Sequence, residues 1–210
     1  MKIALGRRIA LPLFDSVHLI SVLAILALAG VIFGASARSS SAQSLEERLP
    51  ACWACHGEKG QSQQRDVPSL GGQPQLYALI QLVMFRDKLR VVSPMNEMTA
   101  GLQDADLRKT ADLIAALPPP APLADGDAAR MARARELAQK NRCNFCHRSD
   151  FSGDKNVPRL AGQREEYLLK SLRGYKDNSR SAYDAQMSEV VYPLKDEELA
   201  DLAYFLARVQ

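Results

Sequence analysis

A 210-residue chain that states one pattern twice, at a nearly constant offset, is built to fold as two copies of one unit. Cys52-Trp53-Ala54-Cys55-His56 returns as Cys143-Asn144-Phe145-Cys146-His147. Val67-Pro68-Ser69-Leu70-Gly71-Gly72-Gln73 returns as Val157-Pro158-Arg159-Leu160-Ala161-Gly162-Gln163. Tyr77 pairs with Tyr167, Leu82 with Leu172, Phe85-Arg86-Asp87 with Tyr175-Lys176-Asp177, and Arg90 with Arg180. Met95 pairs with Met187, and Leu102-Gln103-Asp104 with Leu194-Lys195-Asp196. The offset stays between 90 and 92, so single-residue gaps suffice. Between the copies lies Leu117-Pro118-Pro119-Pro120, whose prolines cannot continue a helix and favour an extended, semi-rigid linker.

Both copies read as helical. Ala128–Arg142 is rich in Ala, Arg, Glu and Leu, with Asp127 as its N-cap. Residues 74–88 place Leu76, Leu79, Ile80, Val83 and Met84 at helical spacing, and residues 165–175 are the counterpart. Residues 104–117 and 196–209 close the two copies, with Leu107, Leu113 and Ile114 matching Leu199, Phe205 and Leu206. The helix ahead of the first cysteine pair looks short, Ser44–Leu49, with Pro50 as its stop. No alternating strand pattern occurs, so the fold class is all-α, two tandem small helical bundles. The expected divisions are 1–42 as an export segment, 43–117 and 128–210 as the two domains, and 118–127 as the linker. Each bundle has about 75–85 residues, near the lower limit for a core that stands unaided.

Lys2, Arg7 and Arg8 precede a stretch from Leu19 to Ala37 without a charge. Ala35-Ser36-Ala37 then forms a small-residue cleavage pattern, and a second cut is available after Ala42. The competing reading is an uncleaved anchor, since nineteen apolar residues just span a bilayer. Either way the rest of the chain is expected outside the cytoplasm, in the periplasm, free or tethered to the inner membrane. Setting aside Lys2, Arg7, Arg8, Asp15 and Arg38, the formal charge of +3 falls to zero. No dense basic stripe remains, which argues against nucleic acid as a partner.

An exported chain with four cysteines would by default carry disulfides. Here every cysteine sits in a C-x-x-C-H pentad, the pattern of covalent haem attachment. Two thiols must reach neighbouring vinyl groups while an imidazole lies beneath the iron. Two intervening residues and an adjacent histidine on one helical turn meet that need. Cys52, Cys55, Cys143 and Cys146 are therefore the expected thioether attachments of two haem c groups, and His56 and His147 the expected iron ligands. A zinc site wants its two cysteine pairs together, but Cys143 follows Cys55 by 88 positions and each pair has its own histidine. A thioredoxin-like pair would need a strand–helix context, which the pattern lacks.

Each iron also needs a sixth ligand or an open position. The third histidine, His18, lies in the export segment. Methionine is the other axial ligand typical of such centres. The repeat selects Met95 and Met187, 39 and 40 positions after their histidines. Met98 rivals Met95 but aligns with Val190, which cannot ligate. Met84, in an apolar helical stripe, reads as core filling, and Met131 as a helix surface or packing residue. Tyr77, Tyr167, Arg90 and Arg180 are candidate propionate partners, with core packing and solvated arginines as the plain alternatives. Gln73 and Gln163 read as lying near a haem edge or between the domains.

The pentads, the PSLGGQ and PRLAGQ segments, the aromatic-basic-aspartate stretch, the two methionines and the closing helices together resemble the class I cytochromes c, specifically the two-haem cytochrome c4 type, over almost all of the chain past the export segment. The resemblance implies that Pro68 and Pro158 offer their carbonyls to His56 and His147. It also implies an electron carrier, not an enzyme, between a donor dehydrogenase or quinol-oxidising complex and a terminal acceptor such as an oxidase. A cytochrome subunit of a dehydrogenase complex is the alternative, and a two-haem peroxidase, which needs an open iron, the more distant one. Pro193 stands where the first copy has Gly101, so the loops around the two methionines are expected to differ in shape.

Overall fold

The computed structural model describes residues 44–180 and 185–210. The export segment and His18 lie outside them. Nine α-helices occur among the described residues, joined by irregular loops and one isolated bridge between Asp154 and Val157. In chain order they are α1 (Leu45–His56), α2 (Gln75–Arg86), α3 (Met95–Thr99), α4 (Asp104–Ala116), α5 (Ala128–Lys140), α6 (Cys143–His147), α7 (Glu165–Lys176), α8 (Ala185–Val191) and α9 (Asp196–Leu206). No helix among the described residues is long and apolar enough to cross a membrane.

Helix α1 corrects one expectation. It does not stop at Pro50 but runs on through the first pentad. Ser44 caps it with a capping box: its hydroxyl accepts from Glu47 N–H, and the Glu47 carboxylate accepts from Ser44 N–H at 2.9 Å. Pro50 removes one i→i−4 donor, the one that would serve the Glu46 carbonyl. Glu46 lies in the exposed first turn, where its carbonyl is open to solvent. The second copy is built differently. Helix α5 ends at Lys140, Arg142 turns the chain at φ +54°, and the second pentad forms the separate short helix α6.

The repeat is visible in the packing. On the closing helices, Leu107 and Leu199 are both fully buried, as are Ala111 and Ala203, and Ile114 and Leu206 nearly so. These positions, i, i+4 and i+7, form one helical face. Each such leucine contributes about 1.5–3 kcal/mol through its removal from water. Leu113 and Phe205, matched in the sequence, part company: Leu113 is exposed while Phe205 is buried. The ring of Phe205 meets Phe151 edge to face at 5.6 Å. In the first copy the position of Phe151 belongs to Gly60; both residues hold positive φ, and each carbonyl accepts from the equivalent pair of N–H groups of its own copy, Leu70 and Gly71 for Gly60, Leu160 and Ala161 for Phe151. A glycine leaves Leu113 with no ring to pack on.

Residues 118–127 are strapped across both copies. Gln61 Nε2 donates to the Pro118 carbonyl at 2.8 Å, Leu123 N–H to the Ala207 carbonyl at 2.9 Å, and Asp127 N–H to Tyr204 Oη at 2.7 Å. The glycines of the two GQ dipeptides, Gly72 and Gly162, turn beneath this strap at φ +66° and +71°. A Cβ on Gly162 would lie 2.5 Å from the Pro120 carbonyl oxygen, so both conformation and space require glycine there. The copies also touch directly, through Tyr77 N–H to the Lys155 carbonyl at 3.0 Å and an Arg65–Glu166 ion pair at 3.1 Å.

Candidate haem sites

Each pentad occupies helical turns that end on its histidine, so the two thiols and the imidazole of each copy follow one another around a helix. All four cysteines are free thiols. Cys52 and Cys143 are half-buried, Cys55 and Cys146 exposed, and burial pushes the thiols of Cys52 and Cys143 up from their ordinary value. The imidazoles are buried. His56 Nδ1 lies 2.8 Å from the Pro68 carbonyl oxygen and His147 Nδ1 lies 2.9 Å from that of Pro158. A carbonyl can only accept, so Nδ1 carries the proton and Nε2 the lone pair in both rings. Burial holds His56 below the usual histidine range, against the smaller opposing effect of the Pro68 carbonyl, which keeps the ring neutral as a ligand must be.

Met95 and Met187 both lie on short helices between the long ones. Met95 opens α3 and is half-buried, with Met98 one turn on and also half-buried. Met187 lies in α8 and packs against the core of the second copy. Met84 is buried, with Gln81 Nε2 at 3.9 Å from its sulfur, and Met131 packs on the second core. The turns after α3 and α8 differ: Gly101 sits at φ +76°, which the proline ring of Pro193 cannot reach.

The structure also gathers four residues that the sequence left dispersed. The Arg180 guanidinium donates to Ser171 Oγ at 3.0 Å and Tyr167 Oη at 3.3 Å, and reaches Tyr77 Oη of the other copy at 3.5 Å. It also lies 5.1 Å from the Tyr175 ring centre. Arg90 donates to Gln81 Oε1 at 2.6 Å and engages Tyr167. Burial raises the Tyr167 phenol, but Arg180 and Arg90 outweigh it and bring it down to about 7, while burial pushes Tyr77 up. Among the described residues no carboxylate pairs with either arginine.

These features fit a covalent haem. Four unpaired thiols, two imidazoles with a fixed tautomer and two cations facing phenols instead of carboxylates are the donor set that vinyls, iron and propionates require. An all-helical pair of bundles with such a set in each is the architecture of a two-centre c-type cytochrome. The cytochrome c family model matches residues 131–210. The thiosulfate dehydrogenase electron acceptor of Thiomonas intermedia is 32% identical over 199 residues, covering 89% of each chain. Cytochrome c4 of Pseudomonas aeruginosa is 27% identical over 90% of this chain and 96% of its own. The structure of Acidithiobacillus ferrooxidans cytochrome c4 superposes with a TM-score of 0.67 at 25% identity, over 75% of this chain and 98% of that one. The chain belongs to the two-haem cytochromes c of the c4 type, electron-transfer proteins that carry covalently bound haem c.

The feature that sequence reasoning left without a role is the pair Gln73 and Gln163. Both are buried and both cross from one copy to the other. Their repetition after the glycine turn was the only signal; the partner of each lies about 90 residues away and has no local trace.

Proposed function

We propose that this chain is an exported, periplasmic electron carrier in which His56 with Met95, and His147 with Met187, ligate two irons. Cys52, Cys55, Cys143 and Cys146 hold the two groups by thioethers, one domain on each side of the 118–127 linker. The observation that supports this most is the pair of histidine–proline carbonyl bonds at equivalent positions of the repeat, each within a turn of two free thiols. When bound, haem c supplies a one-electron couple. Pro68 and Pro158 orient the imidazoles that would hold the iron, and Met95 and Met187 would offer the thioethers. Arg90 and Arg180, with Tyr77 and Tyr167, supply the positive charge and hydroxyls that propionates need. Six filled positions leave electron transfer as the available chemistry and oppose a peroxidase.

A donor dehydrogenase or quinol-oxidising complex and an acceptor such as an oxidase are the expected partners. The name of the Thiomonas relative favours a second, narrower reading, in which the donor is a thiosulfate dehydrogenase. Haem quantified per purified chain, together with the methionine-to-iron absorption band and its loss in Met95→Ala and Met187→Ala, tests the ligation. Fewer than two haems, or avid carbon monoxide binding by both native centres, refutes it. Reduction of the chain by thiosulfate in the presence of such a dehydrogenase, against a quinol-oxidising complex, tests the donor.

A further inference from the structure

The histidine–carbonyl bond does not end at the proline. The Pro68 carbonyl and the Ser69 N–H belong to one peptide group. Its oxygen accepts from His56 Nδ1 at 2.8 Å, and its N–H donates to Gln163 Oε1, in the other copy, at 2.7 Å. Gln163 Nε2 donates in turn to the Ser69 carbonyl at 2.8 Å. The second copy repeats this with the roles exchanged. The Pro158 carbonyl accepts from His147 Nδ1 at 2.9 Å, Arg159 N–H donates to Gln73 Oε1 at 3.0 Å, and Gln73 Nε2 donates to the Arg159 carbonyl at 3.0 Å. Each glutamine therefore grips the other copy at two points, and this fixes which of its amide atoms is oxygen. Ser69, Gln73 and Gln163 are all more than nine-tenths buried while Arg159 is half-buried, so water is kept from the Gln163 pair more fully than from the Gln73 pair.

We propose that each glutamine sets the reduction potential of the centre in the opposite copy: Gln163 that of the His56 centre, Gln73 that of the His147 centre. This rests on the two histidines being iron ligands. An acceptor on a peptide N–H draws the proton outward and makes the carbonyl of the same peptide a stronger acceptor, as hydrogen bonds in a chain polarise one another. A stronger carbonyl acceptor pulls Nδ1–H further and makes Nε2 a more basic donor, which favours the oxidised iron. Removing the glutamine oxygen relaxes the peptide, weakens the pull on the imidazole and raises the potential. The glutamines act on the iron only through the peptide and the imidazole, so they are positioning residues. The link exists only while the copies are docked.

The test uses the full-length holoprotein with Gln163→Met and Gln73→Met, which keep side-chain volume and lose both polar atoms. Potentials are read by spectroelectrochemistry with the two centres distinguished by assigned haem-methyl NMR resonances. Gln163→Met is expected to shift the reduction equilibrium of the His56 centre about threefold toward the reduced form, about 28 mV at 59 mV per tenfold for one electron. The His147 centre should stay in place, and the His56 Nδ1–H resonance should move upfield. Gln73→Met is expected to do the converse, with a smaller shift because its bond is longer. Gln163→Glu in its protonated form keeps both bonds, its carbonyl oxygen accepting from Ser69 N–H and its O–H donating to the Ser69 carbonyl, so it should restore a potential no higher than the parent. Equal shifts of both centres, or a shift confined to the copy that carries the substitution, would show a merely structural role and overturn the proposal. If haem count and axial ligation are intact and no centre moves, only this proposal falls; loss of two-haem ligation in the parent protein would remove the reading beneath it.

Discussion

Gly71→Ala separates what the repeat says from what the fold says. The equivalent residue in the second copy is already alanine, Ala161, and it is fully buried. By the logic of duplication the substitution should be harmless or slightly favourable, since alanine restricts the unfolded chain more than glycine does. The structure predicts the opposite. A Cβ at Gly71 would lie 2.1 Å from the Pro118 carbonyl oxygen, more than an ångström inside contact distance, and 3.2 Å from the Gln61 side-chain amide. Pro118 is exposed, so the strap can retreat, which places the overpacking cost at the low end, about 1 kcal/mol. Retreat breaks the Gln61 Nε2 bond to the Pro118 carbonyl, worth about 1 kcal/mol. The sum is about 2 kcal/mol, or about 4–8 °C in a protein of this size. Thermal unfolding of the holoprotein followed by far-UV circular dichroism measures it. A midpoint within about 1 °C of the parent, or above it, refutes the reasoning and with it the close seating of the linker on the first glycine turn.

Leu199→Ala should cost about 3–5 kcal/mol and Leu107→Ala a similar amount, because both side chains are fully sealed; denaturant unfolding checks this, and a cost below about 1 kcal/mol for either contradicts the shared core face. Arg86 holds Asp87 and Asp104 below the usual carboxylate range, and Arg173 does the same for Asp196. Depressed carboxylates contribute stability that is complete above about pH 4 and is lost as the pH falls through their lowered values. The melting midpoint should therefore drop on acidification from pH 5 to 3, and less steeply in Arg86→Gln with Arg173→Gln. In Arg180→Gln, the lowest-pH phenolate step in an ultraviolet titration, absent in Tyr167→Phe, should move upward, since the guanidinium that lowers Tyr167 is gone.

Local chemistry was legible where one segment carries it alone. The cysteine spacing, the histidine after it and the helix-period leucines all lie within a few turns of each other, and the structure forms each on a helix. Pro50 misled because a proline's lost hydrogen bond was weighed without its surroundings: the missing partner belongs to an exposed first turn, and the Ser44 box pins the start. Leu113 misled because alignment compares positions and not neighbours. Its counterpart is buried by a phenylalanine that the first copy replaces with Gly60. Both failures come from contacts the local pattern does not encode, and the crossed glutamines are the extreme case. A duplicated residue that bonded only within its own copy would serve each centre independently. One that bonds across makes each half complete the hydrogen-bond chain of the other, so the duplication yields a mutual dependence that neither half has alone. That dependence follows from geometry at four backbone bonds. With a single glutamine, one of the two peptides would lack its partner from the other copy.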